Sequence, residues 1–246
     1  MWSIGLIGHP VSQSFSPEYF RQKFEDLGLS NWAYKAFDLT DLNTFNTWWQ
    51  TQNRLVALNV TIPHKQNIIA HCSEISDQVN RIGAANLIIQ SAERPDQFKA
   101  FNTDHSGFAE ALSEAWGNDF YKAVILGSGG SSKAIQFALQ EKQIPYTVAS
   151  RTGSNAPYEH IDFRDFDLII NCTPIGLPSQ WSTLPIPTEH IKSEQHFFDL
   201  NYHGITPSMQ CFLDHGAKVS NGLNMLKKQA DQTWEFIKTN RPDCFI

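Results

Sequence analysis

Short apolar runs alternate with longer amphipathic segments along the chain, and this alternation predicts an α/β fold in which strands and helices form packed layers. No internal repeat or low-complexity tract interrupts the order. The apolar runs predict strands over residues 4–7, 33–37, 55–59, 85–89, 123–126, 146–149, 168–171 and 196–199.

Helical spacing and helix-start residues predict the remaining regular structure. Ser16 and Asp41 are expected to be the N-caps of the first two helices. Apolar residues recur at helical spacing from Leu226 to Ile237, which predicts a C-terminal helix with one apolar face. The predicted helices cover residues 17–27, 42–51, 131–140 and 225–237.

Composition limits the class of protein. With 246 residues and 41% hydrophobic content, the chain can bury a substantial core in one or two domains. A formal charge of -6 without a cluster of Lys and Arg argues against a nucleic-acid surface. The four cysteines and nine histidines lack the spacing of disulfide frameworks or metal sites, so no metal is expected. The apolar start has no basic leader and is short, so a cytoplasmic protein without a membrane segment is expected.

A glycine-rich turn follows the apolar run 123–126. Gly127 and Gly129 occupy the first two positions of the dinucleotide-binding fingerprint, where a tight turn brings the backbone close to a pyrophosphate. Ser132 stands at the third position, and Ser128, Gly130 and Ser131 leave the helix N-terminus open to phosphate. The alternative is an ordinary glycine-rich turn.

The next predicted strand indicates which dinucleotide is bound. It ends in Ser150-Arg151-Thr152, where NAD-binding folds usually carry an acidic residue for the ribose hydroxyls. A guanidinium binds a 2'-phosphate through paired hydrogen bonds, and Thr152 adds a hydroxyl, so NADP is favoured over NAD. The alternative for Arg151 is a solvated loop cation.

An amine and a carboxylate lie in two further polar turns. Lys65 follows the apolar run 55–58 within Asn59-Val60-Thr61-Ile62-Pro63-His64-Lys65, and Asp104 ends Asn102-Thr103-Asp104. Each residue alone is more often a surface charge or half of a structural ion pair. Together with the glycine turn they suggest redox chemistry.

These segments resemble the shikimate dehydrogenase family, whose enzymes reduce 3-dehydroshikimate with NADPH. The resemblance covers nearly the whole chain and keeps the family's order. The matched segments are residues 8–10, 12–17, 59–65, 83–86, 102–104, 127–130, 150–152, 171–176, 202, 222–226 and 229.

The resemblance implies an α/β protein with an N-terminal substrate domain, a Rossmann-like NADP-binding domain and a cleft between them. The substrate domain would comprise residues 1–104, completed by the C-terminal helix 223–246, and the NADP domain residues 105–222. It implies reversible, NADP-dependent oxidoreductase activity on a small molecule in chorismate and aromatic amino-acid biosynthesis, by a monomer or homodimer.

The resemblance also assigns site residues. Lys65 and Asp104 would be catalytic, with Lys65 as the proton donor. The substrate would be bound by Ser14, Ser16, Asn59, Thr61, Asn86, Thr103, Tyr202 and Gln229. The cofactor would be bound by Gly127, Ser128, Gly129, Gly130, Ser131, Arg151, Thr152, Thr173, Gly222 and Met225.

Several of these residues have a structural alternative. Ser16 before Pro17 is a routine helix start, Asn59 and Thr61 suit capping positions, and Met225 suits a core. At the level of function, the alternatives are a quinate/shikimate dehydrogenase paralogue with relaxed cofactor choice and a non-catalytic nucleotide-sensing protein on the same fold. The segment between Arg151 and Asp167 shows no helical period, so an irregular crossover is expected there.

Overall fold

A computed structural model of the chain describes residues 1–151 and 155–245. Internal contacts divide the chain into two compact units. The first unit runs from Met1 to Asp104 and resumes at Gln229, and the second unit runs from His105 to Lys228.

Strands and helices alternate through most of the chain. The strands are β1 (Trp2–Gly8), β2 (Trp32–Asp38), β3 (Leu55–Val60), β4 (Glu74–Ile75), β5 (Leu87–Gln90), β6 (Phe98–Phe101), β7 (Ala123–Leu126), β8 (Tyr146–Ala149), β9 (Leu168–Asn171), β10 (His196–Asp199) and β11 (Lys218–Asn221). The helices are α1 (Ser16–Asp26), α2 (Phe45–Gln50), α3 (Asp77–Ile82), α4 (Asp104–Trp116), α5 (Gly130–Glu141), α6 (Pro207–Asp214) and α7 (Leu223–Asn240).

The first unit is built on a mixed six-stranded sheet in the order β2-β1-β3-β5-β6-β4. Strand β1 pairs in parallel with β2 and β3, and β5 runs antiparallel to β3 and β6. One core includes Phe20 of α1 and Trp234 of α7, and the other includes Phe45 and Trp49 of α2. Every residue of β3 is buried, which explains why this strand appears in the sequence as an apolar run.

The second unit contains a five-stranded sheet in the order β11-β10-β9-β7-β8, and all its pairings are parallel. Phe108 of α4 and Ile135 of α5 belong to one core cluster, and Met209 and Phe212 of α6 belong to another. The chain moves outward from β7 in one direction to β8 and in the other to β9. In open parallel sheets, ligands bind beyond the carboxyl ends of the strands at such a reversal.

Both predicted N-caps are wrong. Ser16 is the first residue of α1, whose N-cap is Phe15. Helix α2 begins at Phe45, because the carboxylate of Asp41 caps a preceding turn by accepting a 2.8 Å hydrogen bond from the backbone N–H of Asn43.

Helix α7 contributes residues to both units. Residues 223–228 belong to the second unit, and the first unit resumes at Gln229. The start of α7 is held within the second unit because Asn224 and Lys228 both contact the carboxylate of Glu114 on α4, at 2.9 and 2.5 Å. Met225 is buried in the core beside them.

The crossover from β8 to β9 contains no α-helix among its described residues. Short 3-10 turns at Tyr158–His160 and Phe163–Asp165 replace it, and Ala156 forms a bridge with Ala149 at the end of β8. The expectation of an irregular connection is confirmed for these residues.

Among the described helices, none has the length and apolar character needed to cross a membrane.

Candidate active site

The centre of the candidate site in the first unit is an ion pair. Lys65 lies in the turn after β3, and its Nζ is 2.6 Å from Oδ2 of Asp104, the first residue of α4. The side chains are only 11% and 8% exposed, respectively. A buried charge is costly unless it is paired and hydrogen-bonded, so the surroundings of the pair matter as much as the pair itself.

The position of Asp104 is fixed by two asparagines. Its Oδ1 accepts a 2.9 Å hydrogen bond from Nδ2 of Asn86, and its backbone N–H donates to Oδ1 of Asn102 at 3.0 Å. Asn102 in turn donates to the backbone oxygen of Ala84 at 2.9 Å. The carboxylate is therefore anchored independently of Lys65.

Asn86 joins two further polar side chains to the pair. Its Nδ2 donates to Oγ1 of Thr103 at 2.9 Å and to Oε1 of Gln229 at 3.3 Å, and its Oδ1 accepts from the backbone N–H of Thr103 at 2.7 Å. Thr103 also donates to Gln229 at 3.2 Å. We call this set the lysine-aspartate cluster: Lys65, Asn86, Thr103, Asp104 and Gln229.

Asn59 lies next to this cluster with both ends of its amide engaged. Its Nδ2 donates to Oγ1 of Thr233 at 3.1 Å and to the backbone oxygen of Asn86 at 3.4 Å. Its Oδ1 accepts from the hydroxyl of Tyr34 at 3.0 Å. Asn59 thus links the cluster to β2 and α7.

Three further predicted residues follow the carboxyl ends of β1 and β3, which are adjacent parallel strands. The two loops are joined by a 2.9 Å hydrogen bond from the backbone N–H of His9 to the oxygen of Ile62. Ser16 is buried, Ser14 and Thr61 are partly exposed, and Oγ of Ser14 accepts from the N–H of Ser16 at 3.3 Å. The loop after β1 therefore lies at the same sheet edge as the turn that carries Lys65.

The second unit places the glycine turn at the carboxyl end of β7. Gly127 has a φ of 105°, and a Cβ there would lie 3.1 Å from Cγ2 of Thr173, so only glycine suits the position. Gly129 precedes α5, supplies no side-chain cap and has open space where a Cβ would be. The hydroxyl oxygens of Ser128 and Ser150 are 3.0 Å apart and tie the turn to the end of β8.

These features fit a pyrophosphate group. The first turn of a helix presents N–H groups that need partners, and a helix N-terminus attracts negative charge. Gly130 and Ser131 form the first residues of α5, so their backbone belongs to that turn.

The cation predicted for the 2'-phosphate is an exposed residue. Arg151 follows Ser150, the first residue after β8. Burial raises the pKa of Tyr158, and the positive charge of Arg151 opposes that rise. Thr152, the second residue predicted for this phosphate, lies outside the described residues.

Thr173 is held by a relay of hydrogen bonds that starts at a buried carboxylate. Its N–H and Oγ1 donate to Oδ1 of Asn171 at 2.9 and 2.7 Å, and Nδ2 of Asn171 donates to Oδ1 of Asp199 at 2.9 Å. Asp199 also accepts from the N–H of Asn201 at 3.0 Å and from the hydroxyl of Thr206 at 2.8 Å. Burial raises the pKa of Asp199 to about 6.

The remaining predicted residues have separate surroundings in the second unit. A Cβ on Gly222 would lie 2.1 Å from the backbone oxygen of Leu200, so a glycine is needed for this close approach. Met225 is buried in the core, where the alternative interpretation from the sequence placed it. Tyr202 follows β10, is partly exposed, and has its ring 4.4 Å from that of His203.

A different edge of the second unit has a cavity of about 680 Å³, next to residues that precede β7, β9 and β10. Its cations are already engaged: Lys122 lies over the ring of Phe166, Arg164 pairs with Asp162, and Lys192 donates to a backbone oxygen. The glycine turn at the carboxyl end is the better candidate for an anionic ligand.

Two comparisons with known proteins identify the same family, and one of them covers nearly the whole chain. A family profile for the shikimate dehydrogenase substrate binding domain matches residues 6–88. The shikimate dehydrogenase (NADP(+)) of Methanococcus maripaludis strain C7 is 34% identical over 268 residues, which cover 99% of this chain and 93% of that protein. The chain belongs to the shikimate dehydrogenase family.

Solved structures of the family share the fold. Shikimate dehydrogenase 1 from Peptoclostridium difficile matches with a TM-score of 0.86 at 30% identity, over 98% of this chain and 92% of that chain. Shikimate 5-dehydrogenase from Thermus thermophilus, solved in complex with NADP(H) and shikimate, matches with a TM-score of 0.85 at 31% identity, over 96% and 93%. The predicted α/β class, with a substrate domain and a Rossmann-like NADP-binding domain, is confirmed.

The structure brings together six of the nine catalytic and substrate residues that the shikimate dehydrogenase resemblance assigned to the first unit. Five form the lysine-aspartate cluster, and Asn59 contacts it. Sequence reasoning assigned no role to Asn102 and Asp199, which orient Asp104 and Asn171. The sequence did contain a signal for Asp199, because this acidic residue is the last residue of the predicted strand 196–199.

Proposed function

We propose that this chain catalyses the reversible, NADP-dependent reduction of 3-dehydroshikimate to shikimate, a step of chorismate and aromatic amino-acid biosynthesis. The observation that carries the proposal is the buried Lys65–Asp104 pair, surrounded by uncharged polar side chains, in a chain of the shikimate dehydrogenase family. The first unit would hold the hydroxy acid, and the second would hold the dinucleotide.

Lys65 would carry the proton. When a ketone is reduced, negative charge grows on its oxygen, and an ammonium group beside that oxygen stabilises the transition state and donates a proton. In the reverse direction the neutral amine would accept the proton from the alcohol. Asp104 would hold the amine in place through the 2.6 Å contact, while Asn86 holds Asp104.

The polar residues would select the substrate. Asn86, Thr103 and Gln229 supply hydrogen-bond donors and acceptors, which suit a ring with several hydroxyl groups. Ser14 and Ser16, at the start of α1, would bind the substrate carboxylate, because hydroxyls and a helix N-terminus both favour a small anion.

The cofactor residues would lie at the carboxyl edge of the second sheet. Gly127, Gly129 and the first turn of α5 would bind the pyrophosphate, Arg151 would bind the 2'-phosphate, and Thr173 would border the glycine turn. When bound there, NADP supplies or accepts the hydride.

The test is an absorbance assay of reduced nicotinamide with the purified chain. Shikimate and quinate are offered separately, each with NADP+ and with NAD+. We expect the largest kcat/KM with shikimate and NADP+. A larger value with quinate would replace the proposal by the quinate paralogue, and absence of turnover in all four mixtures would favour the nucleotide-sensing protein.

A further inference from the structure

The loops after β9 and β10 are connected by one fully buried carboxylate. Asp199 is 0% exposed and ends β10. It accepts hydrogen bonds from Asn171 at the end of β9, and from Asn201 and Thr206 in the loop after β10. Asn201 also donates to the backbone oxygen of Ile175 at 2.9 Å, which joins the two loops a second time.

The carboxylate determines which way the amide of Asn171 faces. An ionised carboxylate only accepts hydrogen bonds, so the Nδ2 end of Asn171 must point toward Asp199. The Oδ1 end is then left to accept from both the N–H and the hydroxyl of Thr173. A reversed amide would place an NH2 group against the Thr173 N–H.

Thr173 lies against the glycine turn. Its Cγ2 would be 3.1 Å from a Cβ on Gly127, and the backbone N–H of Cys172 donates to the oxygen of Leu126 at 2.9 Å. The hydroxyl of Thr173 also accepts from the N–H of Ile175 at 3.2 Å, which closes the loop on itself. The orientation of this loop is therefore set by the relay from Asp199.

We propose that Asp199 is a positioning residue for the dinucleotide: it fixes Asn171, and through Asn171 it holds Thr173 and the loop beside the glycine turn in the form that binds NADP+. This inference rests on the proposed NADP site in the second unit. It assigns to Asp199 an effect on cofactor affinity and none on the proton transfer at Lys65.

The test is a titration of the purified chain with NADP+, followed by protein fluorescence or calorimetry without substrate. Asp199→Ala removes the acceptor and should weaken NADP+ binding about tenfold, since the three groups that donate to the carboxylate lose this acceptor. Asp199→Asn keeps an acceptor toward Asn171 and Asn201 and turns its NH2 toward the Thr206 hydroxyl, so its affinity should stay within about twofold of the parent.

Asn171→Ala should weaken binding as much as Asp199→Ala, and the double variant should be no weaker than either single one, because both residues act in one relay. Phe212→Leu, a core substitution on α6, is the control for general destabilisation and should leave the affinity unchanged. The KM for shikimate should not change in any of these variants.

A parent that fails to bind NADP+ would overturn the proposed function itself. A parent that binds NADP+, with an Asp199→Ala variant of equal affinity, would overturn only the positioning role, as would an Asp199→Asn variant as weak as Asp199→Ala. If Asp199→Ala does not fold, Asn171→Ala decides the matter, and unchanged affinity there rejects the proposal.

Discussion

Lys65 and Asp104 are brought within 2.6 Å of each other from positions 39 residues apart in the chain. Lys65 lies in the turn after β3, and its backbone oxygen accepts a 2.7 Å hydrogen bond from the N–H of Ala85. Asp104 is the first residue of α4. A carboxylate is stabilised by the dipole at the start of a helix. The pair thus combines a carboxylate at the start of a helix with an amine that the fold holds beside it.

Asp104→Asn should lower kcat about a hundredfold, because the amide keeps the shape but loses the negative charge that attracts the Lys65 amine and holds it in place. The matched control is Asp231→Asn, which breaks an exposed contact of 2.5 Å with Lys23 on the surface of the same unit. A variant with the parental rate would make Asp104 a structural residue only.

Replacing both Ser14 and Ser16 with Ala should raise the KM for shikimate about tenfold and leave the KM for NADP+ nearly unchanged. Ser16 does not cap α1, and Ser14 accepts only a 3.3 Å hydrogen bond from the N–H of Ser16, so the melting temperature should fall little. Ser73→Ala, which removes a bond to the backbone oxygen of Phe98, serves as the control. Equal rises in both KM values would argue against carboxylate binding by these serines.

Arg151→Ala should abolish most of the preference for NADP+ over NAD+ and change the activity with NAD+ little. In the parent, the preference should weaken as salt is raised, because an exposed cation is screened by ions. The measurement is kcat/KM for both cofactors at low and high ionic strength. Arg164→Ala, which removes an equal charge on the same unit, is the control. A preference that survives in Arg151→Ala would show that another residue binds the phosphate.

The pH dependence of stability should change in Asp199→Asn. A folded-state pKa of about 6 lies above the ordinary 3.8, so the folded protein binds this proton more tightly than the unfolded chain does. The parent should therefore gain up to about 3 kcal/mol of stability from this group as the pH falls from 6 to 4, and the variant should not. Unfolding by urea at neutral and acidic pH measures the difference between the two proteins. A difference that is constant with pH would contradict the assignment.

The strands of the second unit were largely predictable from sequence. The predicted ranges 123–126, 146–149, 168–171 and 196–199 coincide with β7 to β10. Strands β7 and β9 are buried throughout and form the apolar runs expected of central strands in a parallel sheet. Strand β11 was missed, since Lys218–Asn221 lies at the sheet edge and contains mostly polar residues. Strand β4 was missed as well, because it consists of two exposed residues.

Helix prediction failed where local signals were short or served another structure. Helix α6 was missed although Thr206 accepts from the N–H of Met209 at 3.2 Å and Pro207 follows it, the same start signal as at Ser16. Helix α4 was missed because Asp104 reads in the sequence as part of a polar turn, whereas it begins the helix.

The site was predictable in its residue types and not in its contacts. Lys65, Asp104 and the glycine turn can be recognised in the sequence as candidate functional residues. The hydrogen bond between Asn86 and Gln229, however, joins residues 143 positions apart, and only the fold determines it. The relay from Asp199 through Asn171 depends on the order of parallel strands in the sheet, which no local pattern contains.

The most direct test of the account is the rate of NADPH formation from shikimate and NADP+ by the parent and by Lys65→Ala. The parent should form NADPH only when shikimate is present. The variant should have a kcat lower by about 10² to 10⁴ with a smaller change in KM, because a proton donor acts mainly in the transition state. A parent without shikimate-dependent NADPH formation, or a Lys65→Ala variant with the parental kcat, would contradict the account.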